Sequence, residues 1–200
     1  MSALVDRAIE SAGLSDVLEA HRAGAIDETH RAKLAGADLL ALGALADRVR
    51  AEDVGREVRI FANDMDRPEF ARGDVVVLPS EGAELTGLEL LREVAVARVA
   101  GPAGLRVCVD WTLAGLELAQ VALGFGANEL LGRIASKRGL PLAEGEVLGV
   151  GKKSKRELAS LVKRKELAAF VRRAGRVASF VGPDGTPLRL EGEAEEAEAT

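Results

Sequence analysis

The chain lacks most of the residues from which metal centres and stacking platforms are built. Its 200 residues contain one cysteine, Cys108, two histidines, His21 and His30, one tryptophan, five phenylalanines and no tyrosine. One thiol excludes an internal disulfide and any zinc or iron–sulfur site that needs three or four cysteines from this chain. Two histidines leave no basis for a His-rich metal site, and no cofactor is expected from composition. Scarce aromatics leave little to stack against single-stranded nucleic acid. No apolar run approaches the ~18 residues of a membrane span, so no membrane association is expected. Met1 opens onto a helical, acid-containing segment in place of a secretory leader, and the expected compartment is the cytoplasm. What remains is 48% apolar and 30% charged, with a net charge of -5, the composition of a globular chain with a core to bury.

Residues 1–54 read as four short helices: Ser2–Ala12, Asp16–Ala23 capped by Ser15, Asp27–Leu34, and Asp38–Arg50. In the fourth, Leu39, Leu42, Ala46 and Val49 form a stripe, and Asp47, Arg48 and Arg50 are expected to face water. Gly43 within it points to a close approach by another helix or strand. After Gly55 the period changes. Glu57–Ala62 alternates as a strand, and Asn63–Gly73 is polar and contains Pro68, hence a loop. Asp74–Leu78 reads as a strand buried on both faces. Thr86 caps a helix over Gly87–Ala100, ended by Gly101-Pro102. Leu105–Trp111 reads as a third strand and Leu113–Phe125 as another amphipathic helix. Strands alternating with helices imply parallel pairing through right-handed crossovers, so residues 55–150 read as an α/β core.

Residues 151–190 change character. Positions 152–176 hold ten Lys or Arg against Glu157 and Glu166. The capping-box pattern Ser154-Lys155-Arg156-Glu157 predicts a basic helix over about 155–174. Arg176–Val181 and Leu188–Leu190 read as a hairpin around Gly182-Pro183-Asp184-Gly185. Residues 191–200, with five Glu, read as a disordered acidic tail. The fold class expected is α/β: a helical N-terminal part, a small partly parallel sheet with crossover helices, then a basic helix and hairpin.

No phosphate loop, dinucleotide fingerprint or His-Glu-x-x-His motif is present. Gly149-Val150-Gly151-Lys152-Lys153-Ser154 has the wrong spacing for a phosphate loop. Lys152, Lys153, Lys155 and Arg156 at a helix start could still attract an anion. A polyanion or nucleic-acid adaptor acting through 152–176 is one functional alternative, disfavoured by the net negative charge and by Phe170 as the segment's one aromatic. Cys108, in Val107-Cys108-Val109, reads as an inert core thiol. Asp110 and Trp111 close a strand at the end where α/β folds place ligand contacts. Trp111 equally fits a core position, and Asn63 and Asp64, after another strand, equally fit a turn. Asn128 and Glu129 fit a helix cap and first-turn acid, or a ligand contact. An enzyme using Asp64, Asp110 or Glu129 as a carboxylate acid or base is a further alternative.

Several segments, taken in order, resemble a known family. Ala37-Asp38-Leu39-Leu40-Ala41-Leu42-Gly43-Ala44-Leu45-Ala46-Asp47-Arg48-Val49-Arg50 is similar to the helix before the barrel in one group of radical S-adenosylmethionine enzymes. The group comprises the aminofutalosine and cyclic dehypoxanthine futalosine synthases of menaquinone biosynthesis and the deazaflavin (FO) synthases. Leu78-Pro79 and Thr86-Gly87-Leu88-Glu89-Leu90-Leu91-Arg92-Glu93-Val94-Ala95-Val96-Ala97-Arg98 resemble a later helix of that family. Leu113-Ala114-Gly115 and Ala119-Gln120-Val121-Ala122-Leu123-Gly124-Phe125-Gly126-Ala127-Asn128-Glu129-Leu130-Leu131-Gly132 resemble its closing segment, with Glu129 where the family has Asp. Glu166–Arg176 is similar to its terminal helix. The resemblance implies barrel ancestry, but the family's Cys-x3-Cys-x2-Cys loop has no counterpart in Asn63–Gly73. A full barrel takes about 250 residues, and three expected strands cannot close one. The implied protein is a contracted, non-catalytic relative. It would be an accessory or small-molecule-binding protein, pairing with a full-length paralogue or with itself, with Asn63, Asp64, Asp110, Trp111, Asn128 and Glu129 as ligand-binding candidates.

Overall fold

The computed structural model describes residues 3–62, 75–80, 82–132, 134–135, 162–182 and 185–188. Four helices come first, α1 (Ala3–Ser11), α2 (Ser15–Arg22), α3 (Glu28–Gly36) and α4 (Leu39–Asp53), followed by strands β1 (Glu57–Ala62) and β2 (Val75–Leu78). Then follow α5 (Gly87–Ala100), β3 (Arg106–Asp110), α6 (Trp111–Ala114), α7 (Leu116–Leu123), β4 (Glu129–Gly132) and β5 (Ile134–Ala135). The chain closes with β6 (Val162–Lys163), α8 (Arg164–Arg173) and β7 (Val177–Val181). The class is α/β.

Local chemistry sets most of these boundaries. Asp38 accepts from the amides of Leu40 and Ala41 and starts α4. Thr86 and Glu89 form a reciprocal capping box at the start of α5. Asp27 and His30 do the same for α3. Ser15 is not a cap: α2 begins at Ser15 and Leu14 holds the N-cap without a side-chain bond, its own side chain buried among the N-terminal helices. The single helix expected over Leu113–Phe125 is broken by Gly115, whose φ of 84° leaves the helical region and separates α6 from α7.

Five strands form one sheet in the order β2-β3-β4-β1-β7, every neighbouring pair parallel. The steps β2→β3→β4→β7 all run the same way across it. Right-handed crossovers taken in one direction deliver their helices to one face, and the packing follows that rule. Leu90, Leu91 and Val94 of α5, Ala119, Ala122 and Leu123 of α7, and Leu167, Ala168 and Val171 of α8 share a core with Val58, Ile60, Val107, Val109, Leu130 and Phe180. On the side away from the sheet, Ala95 and Val99 of α5 join the core of α1–α4. The opposite sheet face carries Phe61, Cys108, Leu131 and Val181, with Val75 and Val77 beside them.

Several expectations change. Glu129 opens the central strand β4 and is neither a first-turn helical acid nor preceded by a helix cap. The segment between Gly126 and Gly132 is held extended by pairing on both sides. The sheet therefore has five strands, where three were expected with a hairpin besides. β2 is an edge strand, so Val75, Val76 and Val77 are only half-buried. Arg50 does not face water: its side chain is 2% exposed, bonded to Asp47 at 2.9 Å and to the Gly55 carbonyl, and Arg176 also reaches Asp47. The close approach at Gly43 is made by the Phe125 ring, from the turn after α7; a Cβ there would lie 2.7 Å from it. Of the helix expected over 155–174, residues 155–161 lie outside the described set. Val162 and Lys163 pair with Ile134 and Ala135, so α8 begins only at Arg164. The C-terminal turn is present: Val181 bridges Pro187 in antiparallel fashion, Gly182 donates to the Thr186 carbonyl at 2.8 Å and Leu188 to the Phe180 carbonyl at 2.7 Å, while residues 189–190 of the expected second arm lie outside the described set. β7 also pairs in parallel with β1, which places it in the main sheet. The acidic tail also lies outside the described residues.

Candidate functional site

Asn63, Asp64, Lys152, Lys153, Lys155 and Arg156 lie outside the described residues. The other four candidates are placed, and the fold separates them. Asp110 ends β3 and caps α6, its Oδ1 accepting from the Thr112 amide at 2.9 Å and the Thr112 hydroxyl at 2.5 Å. Trp111 turns into the helix-covered core, 2% exposed and pressed on Gly132, where a Cβ would stand 2.2 Å from the indole. Its Nε1 has no hydrogen-bond partner. Both the core reading of Trp111 and the capping chemistry of Asp110 are thus accounted for structurally.

Asn128 belongs to a clamp at the amino ends of β3 and β4. Arg98, completely buried, donates to the carbonyls of Gly126 at 2.9 Å and Leu105 at 2.5 Å, and to Asn128 Oδ1 at 2.6 Å. The same Asn128 oxygen accepts from the Val107 amide at 2.8 Å. Burial pushes the Arg98 guanidinium down to about 10, which still leaves it charged at neutral pH. The end of α5 and the Gly126–Glu129 segment therefore meet through the Arg98 side chain.

Glu129 is the unusual residue. Next to Asn128 on an extended strand, it points to the opposite side of the sheet. Parallel register sets Val77, Cys108, Glu129, Arg59 and Ser179 in one row across the sheet face opposite the core shared with α5, α7 and α8. Its side chain is fully buried. Arg59 Nη1 donates to Oε1 at 3.1 Å, and Arg106 Nη1 lies 3.6 Å from the same oxygen. Oε2 has no hydrogen-bond partner. Burial raises the Glu129 carboxyl above the ordinary glutamate value, against the pull of Arg106, Arg59 and Arg98. Arg59 is itself fixed: its Nη2 donates to the Gly185 carbonyl at 3.2 Å and its guanidinium stands 5.6 Å from the Phe61 ring centre.

Arg59, Arg98 and Arg106 do not stand out in the sequence as site residues. Arg59 reads as the solvent side of an alternating strand, and its importance depends on β4, which carries a four-residue signal too short to recognise. Among the described residues, no group of three or more His, Cys, Asp or Glu converges as a metal site, and no helix is long and apolar enough to cross a membrane. No protein-family model matches the chain, and a search of curated proteins finds no match either.

Proposed function

We propose that this chain is a contracted, non-catalytic relative of the radical S-adenosylmethionine enzymes of menaquinone and deazaflavin synthesis, acting as a small-molecule-binding or accessory protein. The observation that carries this reading is the strand order. In an eight-stranded βα barrel each strand pairs with the next and the last closes on the first, with all helices outside. Removing staves after the first leaves the final three in sequence, then the first beside the last. The order β2-β3-β4-β1 has that form, with α5, α7 and α8 all on one face. β7 lies outside β1 in the same sheet, as a further parallel strand added beyond that remnant.

The barrel interior then corresponds to the face bearing Glu129, Arg59, Arg106 and Cys108. One cysteine among these 200 residues cannot supply the three thiolates that hold a site-differentiated four-iron cluster, which favours binding over the ancestral chemistry. Two experiments test the reading. Anaerobic reconstitution with iron and sulfide should leave no stoichiometric four-iron cluster on the purified chain; a stable one would overturn the non-catalytic assignment. Tagged chain expressed in its own cells should recover a radical S-adenosylmethionine enzyme or bind a small molecule, and recovery of neither would count against it.

A further inference from the structure

We propose that the buried pair His21 and Asp53 holds a proton that docks α2 onto α4 and α5, and that the N-terminal helices loosen when this proton leaves as pH rises through neutrality. Neither residue belongs to the cluster around Glu129.

Both nitrogens of the His21 ring face acceptors. Nδ1 lies 2.8 Å from the Val99 carbonyl oxygen near the end of α5, and Nε2 lies 3.1 Å from Asp53 Oδ2 at the end of α4. A carbonyl oxygen only accepts, so Nδ1 carries a hydrogen. A neutral imidazole has no second one, and its Nε2 lone pair would then face the lone pairs of a carboxylate. The second contact is a hydrogen bond only when the pair holds one more proton, which imidazole, the stronger base, takes from a carboxyl group. His21 is thus an imidazolium bonded to a carboxylate, with the two side chains 4% and 11% exposed.

The charges around the joint are otherwise fixed across neutral pH. From α5, Arg98 interacts with Asp53 through charge, which favours the carboxylate as an anion, and it also feels Arg50 of α4. Arg22 of α2 is bonded to Glu52 of α4 and to Glu19. Asp16 of α2 is bonded to Lys33 of α3, and Arg31 of α3 donates to the Ala100 carbonyl. His30 belongs to the α3 cap with Asp27 and is common to every variant compared below. His21 is therefore the group of this interface that changes charge near neutrality. Once it loses the proton, α2 keeps its apolar contacts through Leu18 and Val17 but loses the polar tie to Asp53. Above the ordinary histidine range the folded chain binds more protons than the unfolded one. Stability is then greatest below about pH 6.5 and falls as pH rises.

Nitrogen NMR of the full chain reads the ring directly, with the His21 signals assigned by their loss in His21→Gln. At pH ~7, where an ordinary histidine is about three-quarters neutral, His21 should be mostly doubly protonated. A mostly neutral ring at that pH would overturn the proposal. Urea unfolding from pH ~6 to ~8 gives the second readout. The unfolding constant of the wild-type chain should rise about threefold or more beyond that of Asp53→Asn over this range. In that variant the amide can donate to Nε2, so a neutral His21 keeps both bonds and needs no second proton. Equal rises in the two chains would also overturn the proposal. The NMR measurement uses the wild-type chain and decides the matter even where Asp53→Asn does not fold.

Discussion

Removing the Arg98 guanidinium should be among the costliest single changes in the molecule. Arg98→Ala strips donors from the carbonyls of Gly126 and Leu105 and from Asn128 Oδ1, all bonded at 2.5–2.9 Å. It also empties the space taken by a side chain that is wholly buried. Each buried acceptor left without its charged donor costs about 1–2 kcal/mol. Relief of the desolvated charge offsets part of this, leaving a net loss of about 3–5 kcal/mol, a large fraction of the stability of an ordinary domain. Arg98→Lys keeps the charge but replaces the planar fork with one ammonium that cannot reach three divergent acceptors, and should lose about 2–3 kcal/mol. Asn128→Ala orphans the Val107 amide and one arm of Arg98, at about 2 kcal/mol. Because the two residues share a bond, the double variant should cost about 1–2 kcal/mol less than the two single losses together. Urea unfolding followed by circular dichroism measures all four. A loss below about 1 kcal/mol for Arg98→Ala, or strict additivity with Asn128→Ala, would refute the clamp as the device that registers β3 against β4.

Other contacts give sharper local expectations. Gly43→Ala gains about 1 kcal/mol of helix propensity but drives a methyl to 2.7 Å from the Phe125 ring. It should lower the melting temperature in the wild-type background and raise it beside Phe125→Leu. Arg92 Nη1 donates to the carbonyls of Leu34, Ala35 and Ala37 at 2.9–3.3 Å, closing the carboxyl end of α3. Arg92→Met should cost about 1 kcal/mol and speed hydrogen exchange within Glu28–Gly36. Thr86→Ala removes half of the capping box on α5 and should cost about 1 kcal/mol by thermal melt. Glu52, bonded to Arg22 and Arg48, is held at about 2, below its ordinary 4.5, first by the Arg22 hydrogen bond. Its contribution is present in full above pH 4.5 and is lost as pH falls from 4.5 towards 2. Glu52→Gln should flatten that acid limb, and an unchanged limb would dismiss the Arg22–Glu52–Arg48 link between α2 and α4.

The elements that local rules write into a sequence were legible. α5 follows from Thr86, Glu89 and the glycine after Ala100, and its predicted span matches the observed one. β1 follows from alternation, and its six residues are those expected. Long-range pairing was not legible. β4 is four residues long and every one of them is buried, so it has neither the length nor the alternation that marks a strand. It becomes one because β1 and β3 flank it and Asn128 is fixed to the Val107 amide. The same reason hides Arg50, whose burial comes from contacts with Gly55, Asp47 and, through Asp47, Arg176 far along the chain. Of the candidate site, Glu129 was singled out together with Asn128, as a helix cap and first-turn acid or a ligand contact, after Gly124-Phe125-Gly126-Ala127. The arginines that face it come from strands whose neighbours the sequence does not announce.

Asn128 and Glu129 show how one short segment can serve two purposes. An extended backbone sends successive side chains to opposite faces, so the two residues cannot share a role. Asn128 is fully explained by stability: its oxygen closes the Arg98 clamp and holds the Val107 amide. Glu129 is not. A carboxylate taken wholly out of water loses its hydration on both oxygens, and an apolar residue of similar volume in its place, with the arginines replaced likewise, is often no worse for stability. Here only Oε1 is compensated, by Arg59 at 3.1 Å and more weakly by Arg106 at 3.6 Å, and the carboxyl is raised by burial despite three neighbouring arginines. The fold would hold this side chain more comfortably as a neutral group, so the pairing of β4 does not by itself account for a glutamate at position 129.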